Sequence, residues 1–362
     1  MSEFGHGLFI GKFYPPHRGH HAAIDIAADR CDRVSVLVMA AAPETVPLAD
    51  RVAWLRETHS AQTNVAVAGI PCDAPLDVTD QRVWAAQVAA MRAGLRAAGC
   101  PADVDAVFCG DDYGDELARW FGATSVRITR SPVSASAVRR DLADRWLELA
   151  PATRAGLTTR VVVLGAESTG TTTVAAHLQQ HYAARGGVWA TTRNVEEYGR
   201  EHTARLWERQ PDRAIDELVW DHADFDEIGA EQNHREEAAA REGSPILICD
   251  TDAFATAVWE RRYLGTAARS GQPWTRVPRR AVYLLTDHTD VPWHDDGMRE
   301  GDLNMRAAMT GWFADALTAA GHSWVLLTGS PADRVELALR TVDPLLNLSM
   351  RFGEPLHGPG FE

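Results

Sequence analysis

Two prolines, two glycines and two histidines fall within ten residues, Gly11-Lys12-Phe13-Tyr14-Pro15-Pro16-His17-Arg18-Gly19-His20. The apolar run Leu8-Phe9-Ile10 precedes them and is short enough for a buried strand. Ala22 to Ala28 follows and reads as a helix, so the stretch is a strand–loop–helix turn. The prolines fix the path of the loop, and the glycines remove side chains where a phosphate would approach the backbone. His17 and His20 are three apart at the incoming helix, so their rings share a face. A helix N-terminus carrying two imidazoles, an Arg and a Lys suits a triphosphate. A metal-binding pair or two surface histidines would leave the Gly-Pro frame unexplained.

The 362 residues are enough for two domains, and the 45% apolar fraction suits globular cores. A net charge of −14, from 36 basic and 50 acidic residues, argues against non-specific attraction to nucleic acid or anionic membrane. Small anions remain open as ligands through local arginines and helix ends. Cys31, Cys72, Cys100, Cys109 and Cys249 form no CxxC pair, which points away from zinc and disulfides and towards a reducing, cytoplasmic setting. No apolar run reaches membrane-spanning length, and the N-terminus does not read as a signal peptide.

Further strands are expected at Val34–Met39, Asp105–Gly110 and Ser125–Thr129, and helices at Arg51–His59 and from Val83. Strands alternating with helices imply a parallel sheet with its site at the strands' carboxyl ends. Trp84, at a helix start after an acidic loop, reads equally well as a core residue or a stacking platform. Ser134 and Ser136 read as caps for a helix continuing through Leu149. Pro151 to Thr158 reads as a linker before a fresh strand, Arg160–Leu164. That strand runs into Gly165-Ala166-Glu167-Ser168-Thr169-Gly170-Thr171-Thr172-Thr173 and a helix from Val174 to Arg185. This is P-loop context, with Thr172 where a magnesium-binding hydroxyl belongs, but Thr171 stands where the lysine should be. Backbone amides and the helix dipole still bind phosphate, whereas a charge that helps phosphoryl transfer is missing.

The opening stretch resembles the GxFxPxHxGH signature of the HxGH nucleotidyltransferases, and most closely the nicotinamide-nucleotide adenylyltransferases of the bifunctional NadR type. The Ser-rich loop Arg130–Arg139 resembles the superfamily's second signature, with Ser136 for the usual threonine. Gly165–Thr173, lysine excepted, resembles the GxESxGKST loop of the NadR-type ribosylnicotinamide kinase domain. Glu196-Glu197-Tyr198-Gly199-Arg200-Glu201 resembles its EYxRE segment, and Pro292-Trp293-His294-Asp295-Asp296-Gly297-Met298-Arg299 its PWxxDGxR lid.

The resemblance implies an α/β chain of two domains, each a parallel sheet flanked by helices. Residues 1–152 would be an HxGH adenylyltransferase domain, 158–346 a P-loop kinase-like domain and 347–362 a loose tail. In the first, Phe9, Gly11, Phe13, Gly19, Ser134 and Ser136 would bind ATP. His17, His20, Lys12 and Arg139 would steady its phosphates, and Trp84 would stack on nicotinamide. In the second, Gly165, Glu167, Ser168, Thr169, Gly170, Thr171, Thr172 and Thr173 would bind ATP. Glu197 would accept the riboside hydroxyl's proton, and Asp250 with Thr172 would hold magnesium, mostly through water. Tyr198, Asp252 and Trp293 would contact the riboside. Arg299 and Arg306 are the candidates to supply the charge that Thr171 lacks. A strand is expected at Val188–Thr191, and others at Pro245–Asp252, Ala281–Thr286 and Trp324–Gly329, with a last helix from Pro331 to Leu346.

The implied activity is NAD synthesis from nicotinamide mononucleotide and ATP, releasing pyrophosphate, plus phosphorylation of nicotinamide riboside, with Mg2+ and small-molecule partners only. With the first strand at about Leu8, no preceding DNA-binding domain is expected. A homo-oligomer is left open. Three alternatives remain at this stage: a P-loop domain that only senses nucleotide, a phosphopantetheine-type adenylyltransferase, and a non-catalytic nucleotide-binding regulator.

Overall fold

The computed structural model describes residues 2–74, 77–265, 269, 271–275, 278–289, 291–294 and 302–356. Two compact units emerge, one of residues 1–156 with 350–362 and one of residues 157–349.

The first unit holds β1 (Phe4–Gly11), α1 (Arg18–Arg30), β2 (Cys31–Ala40), α2 (Leu48–Thr58), β3 (Val65–Pro71), α3 (Gln81–Ala97), β4 (Ala106–Cys109), α4 (Gly114–Phe121), β5 (Thr124–Arg127), α5 (Ala135–Arg140) and, at its boundary, α6 (Pro151–Leu157). The strands form one sheet in the order β3-β2-β1-β4-β5, and every pair is parallel. Both faces are covered, which is why the strands read as unbroken apolar runs. Successive side chains point to opposite faces. Phe9, Val36 and Val38 therefore join Ile24 and Leu55 in one core layer, while Leu8 and Leu37 join Met91 and Leu95 in the other. The chain leaves β1 in one direction to β2 and later returns to its other side through β4. The carboxyl ends of β1 and β4 consequently flank the crevice where an open α/β sheet binds its ligand.

The second unit holds β6 (Thr159–Gly165), α7 (Thr171–Ala183), β7 (Arg193–Val195), α8 (Tyr198–Arg209), α9 (His222–Glu242), β8 (Ile246–Asp250), α10 (Ala253–Leu264), β9 (Val282–Thr286), α11 (Leu303–Ala319), β10 (Trp324–Leu327) and α12 (Pro331–Ser349). Its parallel sheet runs β10-β9-β6-β8-β7, with β6 between β8 and β9.

Several expectations are corrected. The helix after Ser134 stops at Arg140 rather than running to Leu149, and the supposed linker from Pro151 is α6. Proline at the first turn of a helix lacks only an N–H that would be unsatisfied anyway. Residues 187–191 form a short 3-10 helix behind two left-handed glycines, and the strand comes later, as β7. The tail is not loose over residues 350–356. The Phe352 ring meets Tyr14 edge-on with centroids 5.4 Å apart. Tyr14 Oη donates to the Gly353 carbonyl at 3.0 Å, and the Gly353 amide donates to Thr45 Oγ1 at 3.2 Å. A Cβ at Gly353 would fall 2.2 Å from the Pro43 carbonyl, so only glycine passes there. One aromatic and a few backbone groups anchor this segment, which leaves no apolar period to detect.

Candidate active sites

In the first unit, α1 begins where β1's loop ends, and its cap is made by the two histidines. His17 Nδ1 accepts from the Gly19 amide at 3.1 Å, and His20 Nδ1 accepts from the His17 amide at 3.3 Å. Two amides at the helix start are thus taken by imidazoles rather than by a Ser or Asp. The consequence is chemical. With Nδ1 committed as acceptor, a neutral ring must carry its proton on Nε2. The ring centroids are 3.8 Å apart at a 30° tilt. Burial is the main cause that lowers the His17 pKa to about 4, helped by His21, Arg139 and Arg18, and it holds His20 well below its usual range. The two rings therefore stand as neutral Nε2–H donors beside a helix N-terminus, an arrangement that suits an anion. Gly19 is needed because a Cβ there would lie 2.7 Å from Ser131 Cβ and 3.1 Å from His17 Cε1.

These rings line a cavity of about 700 Å³, together with Phe9, Gly11, Lys12, Gly19, Trp84, Ser134 and Ser136. Phe13 is not on that wall. It lies beneath, its ring 4.9 Å from His20. Trp84 is buried, donates from Nε1 to the Val78 carbonyl at 3.0 Å and also lines the cavity. Lys12 Nζ lies 3.2 Å from Glu44 Oε1 and donates to the Leu356 carbonyl at 3.0 Å. Glu44 is buried between Lys12 and the fully buried Arg51, whose Nη1 sits 2.5 Å from Glu44 Oε2. Arg139 lies outside the cavity wall. It donates to the Tyr14 carbonyl at 2.7 Å and to Ser136 Oγ at 3.1 Å, so its present contacts brace the loop.

Behind the pair lies a feature the sequence reading missed. His21 Nδ1 is 3.0 Å from His59 Nε2, and His59 Nδ1 is 2.5 Å from Gln62 Oε1. Gln62 Nε2 donates to Asp25 at 2.9 Å. The amide orientation fixes the chain of donors: His59 gives its proton to Gln62, and His21 gives its own to His59. The adjacent histidine in the His20-His21 pair was the available signal.

In the second unit the loop between β6 and α7 has the conformation a phosphate cradle needs. Gly170 is left-handed at φ +87°, and Ser168 is left-handed at φ +59°. A Cβ at Gly165 would lie 2.2 Å from Thr286 Oγ1. Thr169 Oγ1 donates to the Ala166 carbonyl at 2.7 Å, which ties the loop's shoulder. The Thr171 and Thr172 hydroxyls stand beside Asp250, at the end of β8, and pull its pKa down. Burial nevertheless keeps the Asp250 pKa above its ordinary value.

This loop opens on a cavity of about 120 Å³ lined by Glu167, Ser168, Thr171, Thr172, Glu197, Arg200 and Asp250, and, at its other end, by Trp220, Phe225, Trp259 and Tyr263. Trp220 and Tyr263 stack with centroids 4.7 Å apart. Sequence reasoning missed this aromatic wall, although Thr256, Trp259 and Tyr263 occupy one face of α10 at helical spacing.

Three expected contacts with the riboside lie elsewhere. Tyr198 is buried off the cavity wall, its hydroxyl donating to Glu227 at 2.7 Å. Asp252 caps α10 and is fully buried against Arg280 Nε at 3.2 Å and Tyr283 Oη at 2.9 Å. Trp293 sits with its ring centroid 6.0 Å from the Arg306 guanidinium, outside the lining residues. Arg306 itself donates to the Val291 and Ser168 carbonyls at 3.0 and 2.9 Å. It braces the P-loop from behind. Thr173 is exposed on the first turn of α7. Arg299 lies outside the described residues.

Two parallel α/β units, each with a helix N-terminus opening on a cavity beyond its central strand, form the architecture of a protein with two nucleotide sites. An AAA domain family model matches residues 160–334. The trifunctional NAD biosynthesis/regulator protein NadR of Salmonella typhimurium is 21% identical over 313 residues, which span 81% of this chain and 71% of that protein. A crystal structure of NadR protein in complex with NR superposes with a TM-score of 0.63 at 20% identity, covering 96% of this chain and 97% of that one. Another, in complex with NAD and AMP-PNP, gives 0.60 at 20% identity over the same shares. The chain has the NadR-type two-unit fold, its second unit carrying an AAA-type P-loop domain.

Proposed function

We propose that this chain is a bifunctional enzyme of NAD biosynthesis. Its first unit transfers the adenylyl group of ATP to nicotinamide mononucleotide, giving NAD and pyrophosphate. Its second phosphorylates nicotinamide riboside with ATP and so feeds the first. The observation that carries the reading is the imidazole cap of α1, with Nδ1 atoms held by backbone amides so that the Nε2–H donors remain for a polyphosphate. The match to NadR proteins, one of them in complex with NAD and an ATP analogue, supports the substrate class.

Adenylyl transfer needs no protein nucleophile. The mononucleotide's phosphate attacks the α-phosphorus of ATP in line, and the bond to the β-phosphate's bridging oxygen breaks. The histidines hold and stabilise the charge that builds on the phosphates, and Trp84 packs the nicotinamide end. Catalysis of this kind is positioning plus electrostatics. In the second unit Glu197, on the cavity wall, takes the proton of the riboside's 5′-hydroxyl as that oxygen attacks the γ-phosphorus, and the bond from that phosphorus to the β–γ bridging oxygen breaks to release ADP. The aromatic wall of Trp220, Trp259 and Tyr263 accepts the nicotinamide ring in place of Tyr198, Asp252 and Trp293.

Magnesium fits the second site. Asp250 with the Thr171 and Thr172 hydroxyls is an all-oxygen set of the kind that shares the ion with water and phosphate. Bound there, it would neutralise triphosphate charge. No cluster of three or more metal-binding side chains occurs among the described residues. Nor is any helix among the described residues long and apolar enough to cross a membrane. We place the enzyme in the cytoplasm, acting on small molecules.

The test is to incubate the full chain with Mg2+ and ATP plus either nicotinamide mononucleotide, nicotinamide riboside or phosphopantetheine. NAD with stoichiometric pyrophosphate is expected from the first, and ADP, the mononucleotide and then NAD from the second. Adenylylation of phosphopantetheine alone would replace the substrate assignment. No adenylylated product from either phosphate would overturn the adenylyltransferase reading.

A further inference from the structure

The second unit's P-loop lacks its lysine, and two described arginines beside the loop, Arg306 and Arg334, turn to backbone carbonyls. Arg306 donates to the Val291 and Ser168 carbonyls. Arg334 donates to the Gly329 and Thr169 carbonyls at 2.9 and 2.8 Å. Each gives two of its nitrogens to backbone carbonyls. Among the described residues lining the cavity, one cation faces three carboxylates: Arg200, with Glu167, Glu197 and Asp250. A nucleotide triphosphate entering that field would be repelled unless the cation meets it.

Arg200 is placed to do so. It is the third residue of α8, so its side chain rises from the first turn beside Glu197, with Nε 3.8 Å from Glu197 Oε2. Its charge is felt by Asp250, the carboxylate beside the Thr171 and Thr172 hydroxyls. The guanidinium therefore lines the same cavity as the residue standing in the lysine's place, the magnesium-type oxygen set and the proposed base. A P-loop lysine reaches the β- and γ-phosphates from the loop itself. Here the loop offers a threonine beside Asp250, and the positive charge on the cavity lining comes from α8.

Resting on the kinase reading of this cavity, we propose that Arg200 replaces the P-loop lysine as the cation on the transferring γ-phosphate of the second unit's triphosphate. The planar fork suits two phosphate oxygens at once, which a threonine hydroxyl cannot match. It also explains how the Thr171 loop can turn over without a lysine.

The experiment uses the full chain as wild type, Arg200→Gln, Arg200→Lys, Thr171→Lys and the double variant Arg200→Gln with Thr171→Lys. Two quantities are read: the kcat and KM of riboside phosphorylation, and the affinity of the second site for AMP-PNP against ADP with the first site filled by excess NAD. Loss of one preorganised charge on a transferring group costs about 10²–10³-fold in rate. Arg200→Gln should therefore lose about that in kcat with a riboside KM changed less than threefold, and should lose its preference for AMP-PNP over ADP. Arg200→Lys should recover part of both. The double variant should regain at least tenfold in kcat, because a lysine returns to the loop. NAD formation from the mononucleotide serves as the folding control for every variant. A kcat within threefold of wild type in Arg200→Gln, or no rescue in the double variant, overturns the proposal. Should wild type phosphorylate no riboside, the kinase reading fails by itself, and the AMP-PNP preference alone decides Arg200. If Arg200→Gln keeps that preference, Arg200 does not hold the γ-phosphate.

Discussion

Replacing His17 separates two tasks that one ring performs. Its Nδ1 caps α1 by accepting from the Gly19 amide at 3.1 Å, and its Nε2–H remains for the ligand. Asparagine is among the best N-cap residues, so His17→Asn keeps an acceptor for the helix but no donor at the reach of Nε2. His17→Ala removes both. The cap is worth about 1 kcal/mol, which in a unit of this size lowers the melting midpoint by about 2–4 °C. The donor, aimed at charge that grows on the departing pyrophosphate, is worth about 2.7–4 kcal/mol, or 10²–10³ in rate. Both variants should thus form NAD about 10²–10³-fold more slowly, with kcat falling more than KM rises. Only the alanine variant should also melt earlier. Initial rates come from coupling NAD to a dehydrogenase and following absorbance, and midpoints from thermal or urea unfolding of the same samples. An asparagine variant within threefold of the wild-type rate would show that the ring is no more than a cap, and the adenylyl-transfer chemistry would need another donor.

Two further outcomes follow from the same geometry. His17 and His21 are held down to about pKa 4 by burial, against 6.5 for an exposed ring. Below pH 6.5 the unfolded chain takes up protons that the folded chain refuses until pH 4. Stability is therefore complete above 6.5 and falls as pH drops from 6.5 towards 4, by up to about 1.4 kcal/mol per pH unit for each ring. Urea midpoints at pH 7.5, 6.5 and 5.5 should show the slope, and a His17→Asn, His21→Asn variant with an undiminished slope would refute the assignment. Asp252→Asn keeps the cap of α10 but strips a buried carboxylate from Arg280, which then retains Glu236 at 2.5 Å. Breaking such a buried pair costs about 3–5 kcal/mol. The second unit should melt earlier while the riboside KM stays put, and a raised KM with normal melting would return Asp252 to the ligand.

The parts of this molecule that were legible in the sequence are those where local chemistry has one reading. Strands covered on both faces give apolar runs that any pass will find. A loop that must turn sharply and admit a phosphate concentrates Gly and Pro, and that concentration exposed both helix N-termini. Side-chain direction was not legible. Asp250 and Asp252 differ by one intervening residue, yet Thr251 turns through φ +70° between them, sending one carboxylate to the P-loop threonines and the other to the Arg280 core. Tyr198 and Arg200 are likewise two apart on one helix, and only Arg200 reaches the cavity. Motif spacing names the neighbourhood, whereas the backbone turn decides which member of the motif faces the ligand.

The two sites also answer the same problem with opposite electrostatics. The first keeps its histidines neutral and hydrogen-bonded and places its permanent cations against protein groups, Lys12 on Glu44 and Leu356 and Arg139 on the Tyr14 carbonyl. It can release a pyrophosphate without a fixed cation clamped on it. The second faces a triphosphate with carboxylates, and there a single guanidinium on α8 must hold the group being transferred. A site that expels a polyphosphate gains from donors that become charged only when the anion is present, and a site that hands on one phosphoryl group gains from a charge that stays. On this reasoning, adding a permanent charge by His20→Lys should slow pyrophosphate release relative to chemistry and turn a linear NAD progress curve into a burst. A curve that stays linear at a lowered rate would mean that chemistry still limits, and the contrast drawn between the two sites would fail.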